Sequence, residues 1–285
     1  MKTSRERRTT RGVLRDPVGT HPAVEFVSRL CDTFVELRRE KVSLEASEVV
    51  GGLASIEGIS ILAVILCESQ VRKRDHLFAS VSTSRSGYRK VQHLMQLAHK
   101  FRLPIVVFVT SSGALPGVDK TEPYESIDIT QHVFSQMHSK SPMILAVLSR
   151  SHSGEVFGAW LGQNVLAFKR TRFSMIVMSQ GMHCHVHVEA SQLYRGGVID
   201  AIISEPPRGV HSRRRAKLKL LKSALSTMLI ELSKLSLEEL VMRRKDKLQR
   251  LSAIVSEVGR REEWPLCDGT LFHASVINGD MPGQA

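Results

Sequence analysis

The chain has 285 residues, 42% of them hydrophobic and 24% charged, with a net charge of +12 and a pI near 9.9. It is long enough to bury a large core, in one big domain or two modest ones. No apolar run spans a bilayer; the longest, Ile59 to Cys67, suits a buried strand, so the composition excludes a helical membrane protein. The basic balance fits a solvated surface, nucleic acid or a phosphorylated small molecule, and only three Tyr and two Trp argue against a base-stacking surface.

Met1 to Pro22 carries six Lys or Arg against two acids and lacks the apolar core of a secretory signal, so residues 1–22 read as a disordered basic tail. His21 to Glu40 places Val24, Val27, Leu30, Phe34 and Leu37 at helical spacing, which predicts one amphipathic helix. Val49 to Cys67 predicts a β-hairpin turning at Ile56-Glu57-Gly58-Ile59, with Ile61 to Leu66 as a buried second strand. Gln70 to Ser86 is a polar connection. A second helix follows over Tyr88 to Lys100, with Val91, Leu94, Met95 and Ala98 on one face.

Leu103 to Val109 is a nearly unbroken apolar run, the pattern of a strand buried on both faces. It empties into Ser111, Ser112, Gly113, Pro116 and Gly117, a loop of small and conformationally special residues. A third helix is predicted over Tyr124 to Met137. Pro142 to Leu148 then repeats the buried-strand pattern, Ser149 to Gly154 the small-residue loop, and Glu155 to Leu161 a short helix. Strands are predicted at Val165–Lys169, Ser174–Met178 and Val198–Ser204. Such alternation implies parallel strands with helical crossovers.

Ser212 to Val258 is helical and basic, opening with Arg213, Arg214, Arg215, Lys217, Lys219 and Lys222. These cations suit a solvated helix face, with contact to the phosphates of a nucleotide-bearing cofactor as the second reading. A capping box, Ser236 with Glu239, starts a further helix at Leu237. The end, residues 259–285, reads as a flexible tail. Cys31, Cys67, Cys184 and Cys267 form no C-x-x-C pair, which excludes a zinc ribbon within this chain and suggests reduced thiols in a cytoplasmic protein. His183, His185 and His187 alternate along an extended segment, with Cys184 on the other side and Glu189 at the same spacing. Such a set suits a transition metal or drift in a loop, and no metal is assigned to this chain.

Five stretches, in order and spacing, resemble one family, the alpha subunit of the bacterial acetyl-CoA carboxylase carboxyltransferase. They are Val49-Val50-Gly51-Gly52 with Ile56-Glu57-Gly58; Gly87-Tyr88-Arg89-Lys90 through Leu94-Met95; and Phe101, Pro104, Ile105, Phe108 with Gly113-Ala114-Leu115-Pro116-Gly117. The last two are Val198-Ile199-Asp200-Ala201-Ile202-Ile203-Ser204-Glu205-Pro206 and Leu235-Ser236-Leu237-Glu238-Glu239-Leu240 through Arg243-Arg244. The resemblance covers about Val24 to Ser252.

The resemblance implies an α/β, crotonase-like (ClpP/crotonase) spiral of ββα repeats with helical N- and C-terminal extensions. The domain itself would span residues 23–211, with basic helices over 212–258. It implies transfer of carboxylate from carboxybiotin, on biotin carboxyl carrier protein, to acetyl-CoA, giving malonyl-CoA for fatty acid or polyketide synthesis. Its implied partners are a beta subunit bearing a zinc ribbon, the carrier protein and biotin carboxylase, in an α2β2 heterotetramer, with no membrane and no nucleic acid. Such chemistry needs N–H donors fixed before charge develops. Carried over residue by residue, the backbone N–H groups of Gly154 and Glu155 would be the oxyanion donors. Gly113, Ala114, Pro116, Gly117, His152 and Ser153 would line the substrate.

The chain departs from the family in three places. The family's G-E-G-G-S-G-G-A loop is here Ser149-Arg150-Ser151-His152-Ser153-Gly154-Glu155-Val156, and only Ser153 and Gly154 match. Its D-T-P is Thr110-Ser111-Ser112. After Met178 the family runs about a dozen residues longer, while this chain continues Ser179-Gln180-Gly181-Met182. These departures carry two alternatives: a catalytically degenerate pseudo-subunit that scaffolds or regulates a carboxyltransferase, or a protein like the gamma subunit of malonate decarboxylase.

Overall fold

The computed structural model describes residues 22–37, 49–67, 85–110, 139–148, 151–153, 162–179, 182–204 and 213–260. The predicted helices over 124–137 and 155–161 lie outside these residues.

Helix α1 (Pro22–Leu30) begins on a proline, whose fixed φ suits a first helical turn. It buries Ala23, Val24, Val27 and Leu30. It does not continue to residue 40 as its periodicity predicts, because the next residues form an edge strand, β1 (Thr33–Glu36). Phe34 and Leu37 fit both periods, but Thr33-Phe34-Val35 is a β-branched and aromatic run that favours a pleated surface. Asp32 N–H donates to Ser55 O at 2.8 Å and starts the pairing.

β2 (Val49–Ile56) and β3 (Ile59–Leu66) form the predicted hairpin, paired from Val49↔Leu66 to Ile56↔Ile59. Its two central residues have positive φ, Glu57 at 49° and Gly58 at 80°, the geometry of a two-residue turn whose twist matches that of the strands. Asp32 fastens this turn: its carboxylate accepts the Gly58 N–H at 3.3 Å and pairs with Lys222.

Helix α2 (Arg85–Phe101) buries Tyr88, Val91, Leu94, Met95 and Ala98 against the sheet. Gly51 permits that approach, since a Cβ there would stand 2.2 Å from Leu94 Cδ1. Thus the first two family-like stretches meet as a packing joint.

β4 (Ile105–Val109) and β5 (Met143–Val147) are buried at every position, as continuous apolar runs require. β6 (Ser151–Ser153) shows that the segment read as a small-residue loop contains a short strand. β7 (Asn164–Phe168), β8 (Arg172–Ser179) and β9 (Met182–Glu189) follow, then α3 (Ala190–Arg195) and β10 (Ala201–Ile203). β10 is shorter than predicted. Val198 and Ile199 are buried in the connection from α3, and the Asp200 carboxylate accepts the Val165 N–H at 2.6 Å. The last described elements are α4 (Arg213–Ser233) and α5 (Leu237–Arg260). Between them is the predicted capping box: Glu239 N–H donates to Ser236 Oγ at 3.2 Å, and Ser236 N–H to Glu239 Oε2 at 2.7 Å.

The main sheet has the order β1-β2-β3-β4-β5-β7-β10, and β3, β4, β5, β7 and β10 run parallel. One face carries Leu62, Val64, Val107, Leu145 and Val165, covered by α2, α3 and the stripe Leu248, Leu251 and Ile254 of α5. The other carries Ile61, Ile65, Phe108, Ile144 and Leu166, covered by α1 and by Leu221, Leu225, Leu229 and Leu232 of α4. A second sheet has the order β6-β8-β9. Phe173 and Val188 of that sheet join the first of these two cores.

Candidate functional site

β4 and β5 are neighbours paired from Ile105↔Met143 to Val109↔Val147, so they end level. Leu148 N–H donates to Val109 O at 2.9 Å, and Thr110 N–H to Leu66 O at 3.2 Å. Thr110 Oγ1 also donates to Leu66 O, at 2.8 Å. The two glycine-bearing segments therefore leave adjacent parallel strands at the same edge, about 4.8 Å apart, where open α/β sheets bind ligands. Gly113, Ala114, Pro116, Gly117, Gly154 and Glu155 lie outside the described residues.

His152 and Ser153 stand in β6, and the pairing there fixes their register. Ser153 is in register with Ser174, and Ser174 with His187; Ser151 is in register with Arg172, and Arg172 with Glu189. His152 is in register with Phe173, and Phe173 with the buried Val188. Arg172 and Glu189 are exposed. Ser153 and His152 are thus consecutive positions of one short strand, in register with Ser174 and Phe173.

The basic stretch of α4 is divided among several tasks. Lys222 pairs with Asp32, Lys217 Nζ stands 3.8 Å from the centroid of the Phe168 ring, and Arg215 and Lys219 are exposed. The Lys222 hydrogen bond holds the Asp32 carboxyl below its ordinary value. Cys31 and Cys67 are free and buried, and burial pushes both thiols up to about 12, so neither is a nucleophile at neutral pH.

At the opposite edge, where β5 and β7 begin, α5 makes a polar clamp that sequence reasoning missed. Gln163 Oε1 accepts the Met143 N–H at 2.6 Å, and its amide donates to Leu240 O at 3.3 Å. Arg244, 1% exposed, donates to Ser139 O at 3.1 Å and Ser141 O at 3.5 Å. Lys247 pairs with Asp200. Burial lowers the Arg244 guanidinium to about 10 and pushes Lys247 below the ordinary lysine value, with Asp200 opposing the second shift. A signal was available, because Leu240, Arg244, Lys247, Leu251 and Ile254 share one helical stripe. Cations on an apolar stripe must find buried partners.

The family model for acetyl co-enzyme A carboxylase carboxyltransferase-like proteins matches residues 13–252. The chain belongs to that family. It is a family of transferases, and curated relatives include acetyl-coenzyme A carboxylase carboxyl transferase subunit alpha from Aromatoleum aromaticum. That protein is 28% identical over 81% of this chain and 77% of its own length. The same subunit from Ruthia magnifica is 26% identical, over 79% of this chain and 75% of its own. Among solved structures, the Pseudomonas malonate decarboxylase MdcD–MdcE heterodimer aligns with a TM-score of 0.53 at 16% identity, over 81% of this chain and 94% of that one. Transcarboxylase 12S aligns with a TM-score of 0.50 at 17% identity, over 72% of this chain and 40% of that one. The carboxyltransferase chain thus has the crotonase-like α/β fold that its five stretches imply. Among the described residues no helix is long and apolar enough to cross a membrane.

Proposed function

We propose that this chain is the alpha-type subunit of a cytoplasmic acetyl-CoA carboxylase. It transfers carboxylate from carboxybiotin, on biotin carboxyl carrier protein charged by biotin carboxylase, to acetyl-CoA, and the malonyl-CoA formed feeds fatty acid or polyketide synthesis. It works with a zinc-ribbon beta subunit in an α2β2 heterotetramer. Residues 23–211 are its catalytic domain and 212–258 its helical extension, with tails on either side. The observation that supports this reading, beside family membership, is the level exit of β4 and β5 at one sheet edge.

In the transfer the N–C bond of carboxybiotin breaks, a C–C bond forms at the acetyl methyl carbon, and the proton lost from that carbon goes to the biotin nitrogen. Negative charge develops on oxygen, which fixed amide donors stabilise without reorganising. The amides of Gly154 and Glu155 take that role toward biotin, beside Gly113, Ala114, Pro116, Gly117, His152 and Ser153. An amide donates whatever its side chain, so replacing the family's glycines does not by itself remove donors.

Mixing the purified chain with a cognate beta subunit, carboxybiotin and acetyl-CoA tests the proposal. Malonyl-CoA well above the beta-only control is expected, and none above that control refutes it. Glu155→Pro removes one donor and is expected to lower kcat by about 10²–10³, while Glu155→Gln stays close to the parent. The β8–β9 pairing favours a second reading, a pseudo-subunit, because Ser179↔Met182 closes tightly where the family chain runs longer. That reading predicts co-purification with the beta subunit and no turnover, whatever stands at 152 or 155.

A further inference from the structure

We propose that Thr110 is a positioning residue for carboxyl transfer, its hydroxyl fixing the point at which the chain leaves β4. The inference rests on the carboxyl-transfer reading and adds to it a side chain to which that reading gave no role. Thr110 is the first residue after β4 (Ile105–Val109) and is half-buried. β3 and β4 end together there, with Leu66 in register with Val109. Leu66 O accepts two hydrogen bonds from Thr110, the amide N–H at 3.2 Å and the hydroxyl at 2.8 Å.

The lengths show what the hydroxyl adds. Where β4 begins, Leu62 N–H donates to Pro104 O at 2.9 Å and Ile105 N–H to Pro142 O at 2.8 Å. On the other side of β4, Leu148 N–H donates to Val109 O at 2.9 Å. The Thr110 amide bond is the longest of these four. Backbone pairing between β3 and β4 thus loosens where the chain departs, and the side chain makes the shorter bond. A hydroxyl can donate to a carbonyl oxygen, whereas an ionised carboxylate only accepts. The change from the family's D-T-P to Thr110-Ser111-Ser112 therefore supplies a donor toward Leu66 O that an Asp could not. This departure fastens the exit in another way and does not erode it.

The test uses Thr110→Val, which keeps the shape and removes the donor, and Thr110→Ser, which keeps the donor. With the cognate beta subunit, carboxybiotin and acetyl-CoA, Thr110→Val should raise KM for carboxybiotin about 10-fold, since a 1 Å misplacement can cost about 10²-fold. KM for acetyl-CoA should stay within about twofold, and Thr110→Ser should behave like the parent. A merely structural role would lower the unfolding midpoint without separating the two KM values. Residue-resolved hydrogen exchange of the full chain needs no turnover: Thr110→Val should lower protection of the residue 110 amide about 10-fold and leave Val107 unchanged. Unchanged protection at 110 overturns the proposal, as does an active Thr110→Val enzyme with both KM values of the parent. No malonyl-CoA from the parent, with the exchange effect present, refutes the carboxyl-transfer reading and leaves the fastening by Thr110 standing.

Discussion

Two ion pairs tie the C-terminal helices to the sheet, and they differ in almost everything but charge. Lys247 of α5 pairs with Asp200 at the entrance to β10, with side chains 6% and 34% exposed. Lys222 of α4 pairs with Asp32 before β1, at 27% and 40%. The first is embedded: Asp200 also takes the Val165 N–H, and Arg244 and Gln163 hold the neighbouring backbone. The second sits in solvent and fastens a turn. Equal charges therefore carry unequal consequences, since a buried ion left alone is costly while an exposed one is rehydrated.

The largest effect should come from breaking the embedded tie. Asp200→Ala leaves the Lys247 ammonium buried without its carboxylate and the Val165 N–H without its acceptor. We expect a loss of about 3–5 kcal/mol in urea unfolding. The double variant Asp200→Ala with Lys247→Met removes the stranded charge and should recover much of that loss, because apolar replacement of a buried pair is often close to neutral. If the double variant is as unstable as the single one, the Val165 hydrogen bond and not the ion pair carries the cost.

The same contrast explains what could be read from sequence. The hairpin, the two buried strands, α2 and the capping box were legible because each is dictated by a local pattern: an apolar run, a helical stripe, Glu-Gly at a turn, Ser-x-x-Glu. The α1–β1 boundary was not, since Phe34 and Leu37 fit either period and only pairing with β2 decides between them. Asp200 and Arg244 both fall in stretches that carry the family resemblance, yet their roles depend on which backbone groups the fold brings to them. At the candidate site, the alternation of small residues reads as a loop, and only pairing with β8 makes Ser151–Ser153 a strand. The glycine-bearing segments were legible as composition, and their common edge only from the register of β4 with β5.

An intermediate effect is expected where α5 begins, between the two ties. Ser236 Oγ accepts the Glu239 N–H, and Glu239 returns the bond to the Ser236 N–H. The Ser236 N–H, donating to the Glu239 carboxylate, is the main cause that holds this carboxyl below its ordinary value, with the Ser236 side chain adding to it. Ser236→Ala should cost about 0.5–2 kcal/mol in thermal unfolding, the usual range for a lost N-cap. A cost as large as that of Asp200→Ala would mean that the clamp at Arg244 and Lys247 depends on how the helix starts, which would erase the distinction between the helices.

The smallest effect belongs to the exposed tie, and its pH dependence has a definite sign. The native carboxyl of Asp32 lies below its ordinary value of 3.8, chiefly through the Lys222 hydrogen bond. A depressed carboxylate contributes stability that is complete above the ordinary value and is lost as pH falls through the native one. Lys222→Ala should therefore cost no more than about 1 kcal/mol at neutral pH, less in high salt. Asp32→Asn should flatten the acid limb of the stability curve below about pH 4 while leaving the alkaline limb unchanged. A loss from Lys222→Ala approaching that of Asp200→Ala would show that the positive-φ turn at Glu57 and Gly58 relies on Asp32 being held in place. Exposure would then be a poor guide to what an ion pair does in this sheet.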